Sequence, residues 1–238
     1  MKSGILDKEY GRKRNSYKSI SFRYKLRAIH VAYIVKKYLS KKNLNILDFG
    51  CAEGLTLLYM NQILERAKFT GLEYSSDLLS MSPQMPANIT LQQADILELP
   101  EKYTKRKYDV VTAMAFFEHL QNPEIALKKA FQSLATNGLL VATFPNPTWD
   151  FIAEKTHLIK GGGHLANLTH KIFLEQLSNN GFELLEYKKF MWVFVAILPY
   201  LHIPVNEKFA SSIDNCFCNT AILNMFMVNQ LFVARKIG

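Results

Sequence analysis

The sequence predicts an α/β domain built on a mostly parallel sheet with helices on both faces. Short apolar runs typical of buried strands alternate with helical patterns, as where NILDFG at 45–50 is followed by LTLLYMNQILERA at 55–67. The chain has 238 residues, 49% of them hydrophobic and 21% charged, so it can bury one substantial core and is not predicted to be disordered. In such sheets ligands bind beyond the carboxyl ends of the strands, so residues that follow strands are candidates for function.

The same alternation continues to the end of the chain. Two helices carry clear boundary signals: one over 123–138 begins with Pro123 and ends at Gly138, and the other lies between Thr169, a predicted N-cap, and Gly181. Further strands are predicted at 69–74, 89–96, 108–115, 139–145, 182–190 and 230–236.

Residues 1–43 form a basic leader. They hold 13 Lys+Arg and 2 Asp+Glu, whereas residues 44–238 hold 16 Lys+Arg and 18 Asp+Glu. Apolar residues at helical spacing over 20–40 predict an amphipathic helix that packs on the main domain, which we assign to 44–238. A solvated helix face is the simplest interpretation of the charge, with an anionic membrane surface or a nucleic acid as the alternatives.

An apolar insertion at about 191–229 separates the last two predicted strands. Its run FMWVFVAILPYLHIPV at 190–205 contains Pro199 and Pro204 and is shorter than the roughly 20 apolar residues of a membrane-spanning helix. We therefore expect a buried helical insertion, a lid, a dimer contact or a peripheral membrane contact through 190–205. The sequence makes no prediction of oligomeric state.

The cysteines favour a reduced, cytoplasmic setting. Cys51, Cys216 and Cys218 form no even disulfide framework, and no second pair accompanies Cys216 and Cys218, so no metal site is predicted. The N-terminus has no apolar run after its charged residues and is not predicted to be a secretory signal.

The loop after the first strand, LDFGCAEG at 47–54, is the strongest functional signal. Gly50 and Gly54 flank a strand-to-helix turn, where a ligand can approach the backbone and the helix N-terminus. Their spacing is not the Gly-x-Gly-x-x-Gly of a pyrophosphate turn. Asp48 and Glu53 place carboxylates at the loop, which would repel a pyrophosphate but suit a ligand with an ammonium and a sulfonium.

Carboxylates also end the next two strands. Glu73 ends the second strand and can accept hydrogen bonds from both hydroxyls of a ribose. Asp95 follows the third strand, where it can accept hydrogen bonds from an adenine amino group while Ile96 packs on the ring. Each residue alone is commonplace, but the three strand ends in this order favour an adenosine-containing cation.

On these residues the chain resembles a class I S-adenosylmethionine-dependent methyltransferase. It is similar to the broad group that includes the ubiquinone-biosynthesis O-methyltransferases and many small glycan or lipid methyltransferases. LDFGCAEG matches the cofactor loop of this family, GLEYS at 71–75 its ribose-binding strand end and QADI at 93–96 its adenine contact. YDVVTAMAFFEHL at 108–120 resembles its fourth-strand motif. The match departs at Ala52, where the family frequently has a third glycine.

The resemblance implies a Rossmann-like, seven-stranded sheet whose last strand is antiparallel, with S-adenosylmethionine as cofactor. It also implies a cofactor-binding set: Asp48, Gly50, Cys51, Ala52, Gly54, Glu73, Tyr74, Asp95, Ile96, Ala113 and Met114. His119 and His164 are candidates for a general base that serves an alcohol or phenol acceptor. The alternatives are a packing role for His119 and a loop role for His164.

The acceptor is less constrained by the sequence. AMAFFEH after the fourth strand lacks the Pro-Pro-aromatic turn usual in enzymes that methylate base amino groups, so DNA is disfavoured. We expect methylation of a small-molecule, glycan or lipid-linked acceptor, most readily at oxygen. The alternatives are an RNA or protein methyltransferase that docks through residues 1–43, and a non-enzymatic or NAD-binding relative of the same fold.

Overall fold

The computed structural model describes residues 11, 18–155, 168–201, 203–217 and 220–237. Strands appear wherever the sequence predicts them, although their ends shift by a few residues. They are β1 (Asn45–Phe49), β2 (Lys68–Glu73), β3 (Ile89–Gln93), β4 (Tyr108–Met114), β5 (Leu134–Pro145), β6 (Phe182–Trp192) and β7 (Met227–Lys236).

All seven strands join one sheet, in the order β3-β2-β1-β4-β5-β7-β6. Strands β1 to β5 pair in parallel, and β7 lies antiparallel between β5 and β6. This arrangement confirms the predicted Rossmann-like fold, including its antiparallel last strand. The chain order reverses between β1 and β4, which is the type of position where open α/β sheets bind ligands.

Helices connect these strands over the described residues. They are α1 (Lys18–Tyr38), α2 (Leu55–Asn61), α3 (Ser76–Leu79), α4 (Glu101–Lys105), α5 (Pro123–Ser133), α6 (Pro147–Lys155), α7 (His170–Asn179), α8 (Val193–Ile197), α9 (Glu207–Phe217) and α10 (Ala221–Asn224). Short 3₁₀ turns span Phe117–His119 and Leu198–Leu201.

The sheet has an apolar core on each face. Successive strand residues point to opposite faces, and neighbours along β1 and β4 accordingly belong to different clusters. Ile46 and Val110 lie in the cluster that contains α1, whereas Leu47 and Val111 lie in the cluster that contains α5 and α7. Helices therefore cover both faces, as the alternating sequence pattern predicts.

The helix α1 lies within the basic leader and is part of the core. Leu26, Val31 and Val35 are fully buried against the sheet. Three lysines of this region form ion pairs with carboxylates of the main domain: Lys25 with Glu207, Lys37 with Glu186, and Lys41 with Asp109. The division of the chain at residue 43 remains a prediction.

One helix boundary differs from the sequence prediction. The predicted helix 123–138 ends at Ser133, because Leu134 already pairs with Tyr108 on β4. Asn137 adopts the left-handed region with φ 60°, so the helix-ending signal around Gly138 marks a bend near the start of β5 instead. Helix-ending and strand-bending glycines look alike in sequence.

The insertion contains the short helices α8, α9 and α10. Val195 and Ala196 are buried, whereas Phe194 and Leu201 are 56% and 62% exposed. Among the helices that the structure describes, none is long and apolar enough to cross a membrane.

Candidate cofactor site

The loop between β1 and α2 has an unusual backbone. Three of its residues have positive φ values: Gly50 at 73°, Ala52 at 49° and Gly54 at 82°. Gly54 is the N-cap of α2 in a left-handed conformation and makes no side-chain cap hydrogen bond. A non-glycine residue is disfavoured in this region by about 1–2 kcal/mol, so Ala52 carries strain that neighbouring contacts must offset.

Glu73 supplies such a contact. Its Oε2 accepts a hydrogen bond from the backbone N–H of Ala52 at 3.0 Å, and its Oε1 accepts one from Ser75 at 2.8 Å. The end of β2 is thereby tied to the loop after β1. The sequence singles out Glu73 as a ribose ligand, but this second role in ordering the loop has no local sequence signal.

Asp48 is held from the adjacent strand. It is 1% exposed, and its Oδ1 accepts a hydrogen bond from the Thr112 hydroxyl at 2.6 Å. Thr112 was not among the predicted site residues. The sequence does give one indication of its role: Thr112 places a hydroxyl inside the apolar strand YDVVTAM, where a buried polar group needs a hydrogen-bond partner.

A cleft of about 490 Å³ opens beside the ends of β2 and β3. It is lined by Tyr74, Ser75, Ser76, Gln93, Ala94 and Asp95. The Gln93 side chain donates to the Tyr74 carbonyl at 3.0 Å, and Asp95 Oδ1 accepts from the Leu97 N–H at 2.9 Å. Ile96 is 5% exposed and packs in the core, and it is not among the residues that line this cleft.

The end of β4 closes the loop from the other side. Ala113 and Met114 are buried, and Ala115 has a positive φ of 55°. Phe116 then lies over the loop, because a Cβ built on Gly50 would be 2.6 Å from its Cδ2 atom. Phe116 was not predicted as a site residue; the contact depends on a backbone turn that the sequence does not mark.

Only one of the two candidate bases can be placed. His119 is half-buried at the end of the 3₁₀ turn that follows β4. His164 lies outside the described residues.

The carboxyl edge of the sheet is rich in carboxylates. Glu53 and Glu118 are at most 4% exposed and lie at the ends of β1 and β4, near Asp48, Glu73 and Asp95. Asp95 is the one carboxylate that lines the cleft itself, and the other four stand at or after the ends of β1, β2 and β4. Negative charge gathered at one edge of the sheet favours a ligand that carries positive charge.

Sequence relatives are methyltransferases. A sequence profile of the methyltransferase domain matches residues 21–187. The malonyl-[acyl-carrier protein] O-methyltransferase of Bacillus cereus is 25% identical over 58% of this chain and 52% of its own length. The ubiquinone biosynthesis O-methyltransferase of Glaesserella parasuis is 27% identical over 52% of this chain and 54% of its own. The chain thus spans about half the length of these curated relatives.

Solved structures share the fold. The putative methyltransferase in complex with the Haloferax volcanii Trm112 activator has a TM-score of 0.72 at 14% identity, over 98% of this chain and all of that one. The plantazolicin methyltransferase BamL, solved with a triazolic desmethylPZN analog and SAH, has a TM-score of 0.65 at 15% identity, over 92% of this chain and 90% of that one. The profile covers more than half of the chain and coincides with the strands that build the loop and cleft, so this chain belongs to the methyltransferase domain family.

Proposed function

We propose that this chain transfers a methyl group from S-adenosylmethionine to a small-molecule, glycan or lipid-linked acceptor. The observation that carries the proposal is the left-handed loop at 50–54, tied to Glu73 and continuous with the cleft that Tyr74 and Asp95 line. The carboxylates around this loop suit a cofactor with an ammonium and a sulfonium group.

The residues proposed to hold the cofactor follow the order of the strands. Those after β1 receive its methionine end, those after β2 its ribose, those after β3 its adenine, and those at the end of β4 line the transfer site. They are Asp48, Gly50, Cys51, Ala52, Gly54, Glu73, Tyr74, Asp95, Ile96, Ala113 and Met114. The bound sulfonium supplies an already activated methyl group, so the protein contributes alignment and exclusion of water, worth up to about 7–11 kcal/mol.

The cofactor assignment is tested by calorimetry with S-adenosylmethionine and S-adenosylhomocysteine. Glu73→Ala removes both the proposed ribose acceptor and the bond to Ala52, so we expect binding to weaken by about 1–3 kcal/mol. Glu183→Ala is the matched control, because this exposed carboxylate stands at the amino end of β6. Equal affinities for both variants and the unchanged protein would refute the assignment, and binding of NAD in place of the nucleoside would refute the function.

We also propose that the acceptor is methylated at oxygen, with His119 or His164 as the base. A general base contributes typically about 10²–10⁴-fold to the rate. His119→Ala and His164→Ala are to be assayed with an acceptor found by screening phenols, sugars and lipid-linked intermediates for S-adenosylhomocysteine release. Near-normal turnover in both variants would assign these histidines to packing and to the loop, respectively.

A peripheral membrane contact through 190–205 belongs to the same proposal. Phe194, Leu201 and Ile203 are 56%, 62% and 45% exposed on this segment. Their joint replacement by serine is expected to abolish co-sedimentation with anionic liposomes, with Phe151→Ser, another exposed ring, as control. Unchanged sedimentation of the triple variant would refute the contact. A cytoplasmic setting is proposed on the sequence alone, because its three cysteines form no even disulfide framework.

A further inference from the structure

The insertion emerges from the same edge of the sheet as the cofactor loop. Because β7 is antiparallel to both β5 and β6, these two strands point the same way, and Pro145 and Trp192 end them at this edge. Strand β5 is parallel to β4, and β4 to β1, so the loop after Phe49 lies at this edge too. The segment between β6 and β7 therefore borders the place where an acceptor must approach the methyl group.

Aromatic side chains line this part of the edge. We call the following set the aromatic wall: Trp149, Trp192, Phe194, Phe217 and Phe226. The Trp192 ring lies 4.7 Å from that of Phe194 and 4.9 Å from that of Phe217, and Trp149 lies 6.0 Å from Phe226. Four of the five rings are half-buried rather than buried, so they present apolar surface without being closed into the core.

Hydrogen bonds join three of the four chain segments that carry these rings. The Trp149 indole donates to the Met225 carbonyl at 2.7 Å. The Val193 N–H donates to the Phe226 carbonyl at 2.8 Å, and Asn146 donates through its side chain to Met227 at 3.0 Å. The wall therefore consists of rings from the start of α6, the junction of β6 and α8, the end of α9 and the residue before β7. These hydrogen bonds and the contact of Phe217 with Trp192 join the four segments.

A buried carboxylate holds the bend at which Trp192 leaves β6. Asp214 on α9 is 2% exposed and accepts hydrogen bonds from the N–H groups of Met191 and Trp192, at 2.9 and 3.0 Å. His30 of α1, 3% exposed, contacts the same carboxylate through Nε2 at 3.1 Å. Met191 has a φ of 65°, a strained conformation for a residue with a side chain, and the two bonds to Asp214 stabilise it.

The charge of the segment fits an apolar ligand. Residues 193–226 contain three charged side chains, Glu207, Lys208 and Asp214. Glu207 forms an ion pair with Lys25 of α1 at 2.8 Å, and Asp214 is 2% exposed and hydrogen-bonded to His30. The surface beside the transfer site is left aromatic and nearly free of exposed negative charge.

We propose that the aromatic wall binds an apolar chain carried by the methyl acceptor, and that the Asp214–His30 pair positions this wall. The proposal rests on the proposed function only in naming the bound chain as part of the acceptor. The wall continues directly from the edge that holds the cofactor loop, so an acceptor seated there reaches the methyl group with its polar end. Asp214 is a positioning residue, since it acts through Met191 and Trp192.

The chain offers a built-in probe of this site. It has two tryptophans, Trp149 and Trp192, and both belong to the wall. Bromine quenches tryptophan fluorescence on contact, so 12-bromododecanoic acid, below the concentration at which it aggregates, is expected to quench saturably. Unbrominated dodecanoic acid should reverse the quenching, and 6-bromohexanoic acid should bind at least about tenfold more weakly because fewer methylenes are buried. Equal binding of both chain lengths, or quenching only above the aggregation concentration, would overturn the proposal.

Variants separate positioning from folding. Asp214→Asn and His30→Leu are expected to weaken the bromododecanoate midpoint at least about fivefold while calorimetric affinity for S-adenosylhomocysteine stays within about twofold. His30→Gln keeps a donor for Asp214 and should restore the midpoint. Asp109→Asn is the matched control, because Asp109 also joins a leader lysine and a backbone N–H, at the opposite edge of the sheet.

Different results would refute the proposed function and the proposed role of the aromatic wall. Long-chain quenching without any binding of S-adenosylmethionine would refute the proposed function and leave the wall as an apolar-ligand site. Nucleoside binding with no saturable quenching would refute the wall and leave the function. An Asp214→Asn variant that is folded by circular dichroism and quenched like the unchanged protein would show that Asp214 does not position the wall.

Discussion

Gly50→Ala tests the geometry on which the cofactor site depends. Alanine at a φ of 73° costs about 1–2 kcal/mol. Its Cβ would also lie 2.6 Å from Phe116 Cδ2, so the ring must move. That ring makes edge contacts with Phe49 and Phe117 at 6.1 and 5.7 Å, each worth about 0.5–1.5 kcal/mol. We expect a total loss of about 2–5 kcal/mol in the free energy of unfolding.

The assay is urea unfolding of the single and double variants. In a Phe116→Ala background the collision is gone, so Gly50→Ala should cost only the backbone strain of about 1–2 kcal/mol. The difference is a coupling energy of about 1–3 kcal/mol between the two positions. Ala52→Gly is a control of opposite sign, since glycine relieves strain at a φ of 49° and should leave stability within about 1 kcal/mol of the unchanged protein. Additive costs for Gly50→Ala and Phe116→Ala would refute the packing of this ring on the loop.

Three further predictions concern buried polar groups. Thr112→Val removes the hydroxyl that donates to Asp48, so urea unfolding should show a loss of about 1–3 kcal/mol in the free energy of unfolding. Thr104→Val is the control: it removes an exposed hydroxyl on α4 and should leave that free energy nearly unchanged. Burial, and to a lesser degree Lys188, lowers the pKa of His30 despite its bond to Asp214; stability should therefore decline as pH falls below about 6.5, and His30→Gln should remove that part of the decline. Burial raises the pKa of Tyr187 to about 12, so its contribution to stability is lost as pH rises from about 10 through 12, and an ultraviolet titration should lose its latest tyrosine in Tyr187→Phe.

Features with a local periodicity could be predicted from the sequence. The strands β1 to β7 and the helix α7, capped by the Thr169 side chain as expected, follow from apolar runs and capping residues. The loop at 47–54 was recognisable because its glycines mark left-handed backbone. These signals depend only on residues near one another in the chain.

The parts of the site that could not be predicted from the sequence are long-range contacts. Thr112 meets Asp48 across two strands, Glu73 reaches the Ala52 amide, and Asp214 meets a histidine 184 positions earlier. No period or spacing encodes such pairs, because they arise only once the sheet order is fixed. Phe116 was missed for a similar reason: its position follows from the positive φ of Ala115, a residue with no turn preference of its own.

The role of the basic residues in the leader also depends on partners that lie far away in the sequence. The leader has a large excess of cations over residues 1–43, for which the sequence alone allows a solvated helix face or an anionic partner. In the fold, Lys25, Lys37 and Lys41 each pair with an acid from the rest of the chain, at 2.6–2.8 Å. Such partly exposed pairs contribute only about 0–1 kcal/mol each, so the buried apolar face of α1 must supply most of its attachment. The pairs instead help to determine where α1 can sit, because they join it and the turn after it to α9, β6 and β4. The charges of these three lysines are therefore explained by registration of α1 on the sheet and on α9.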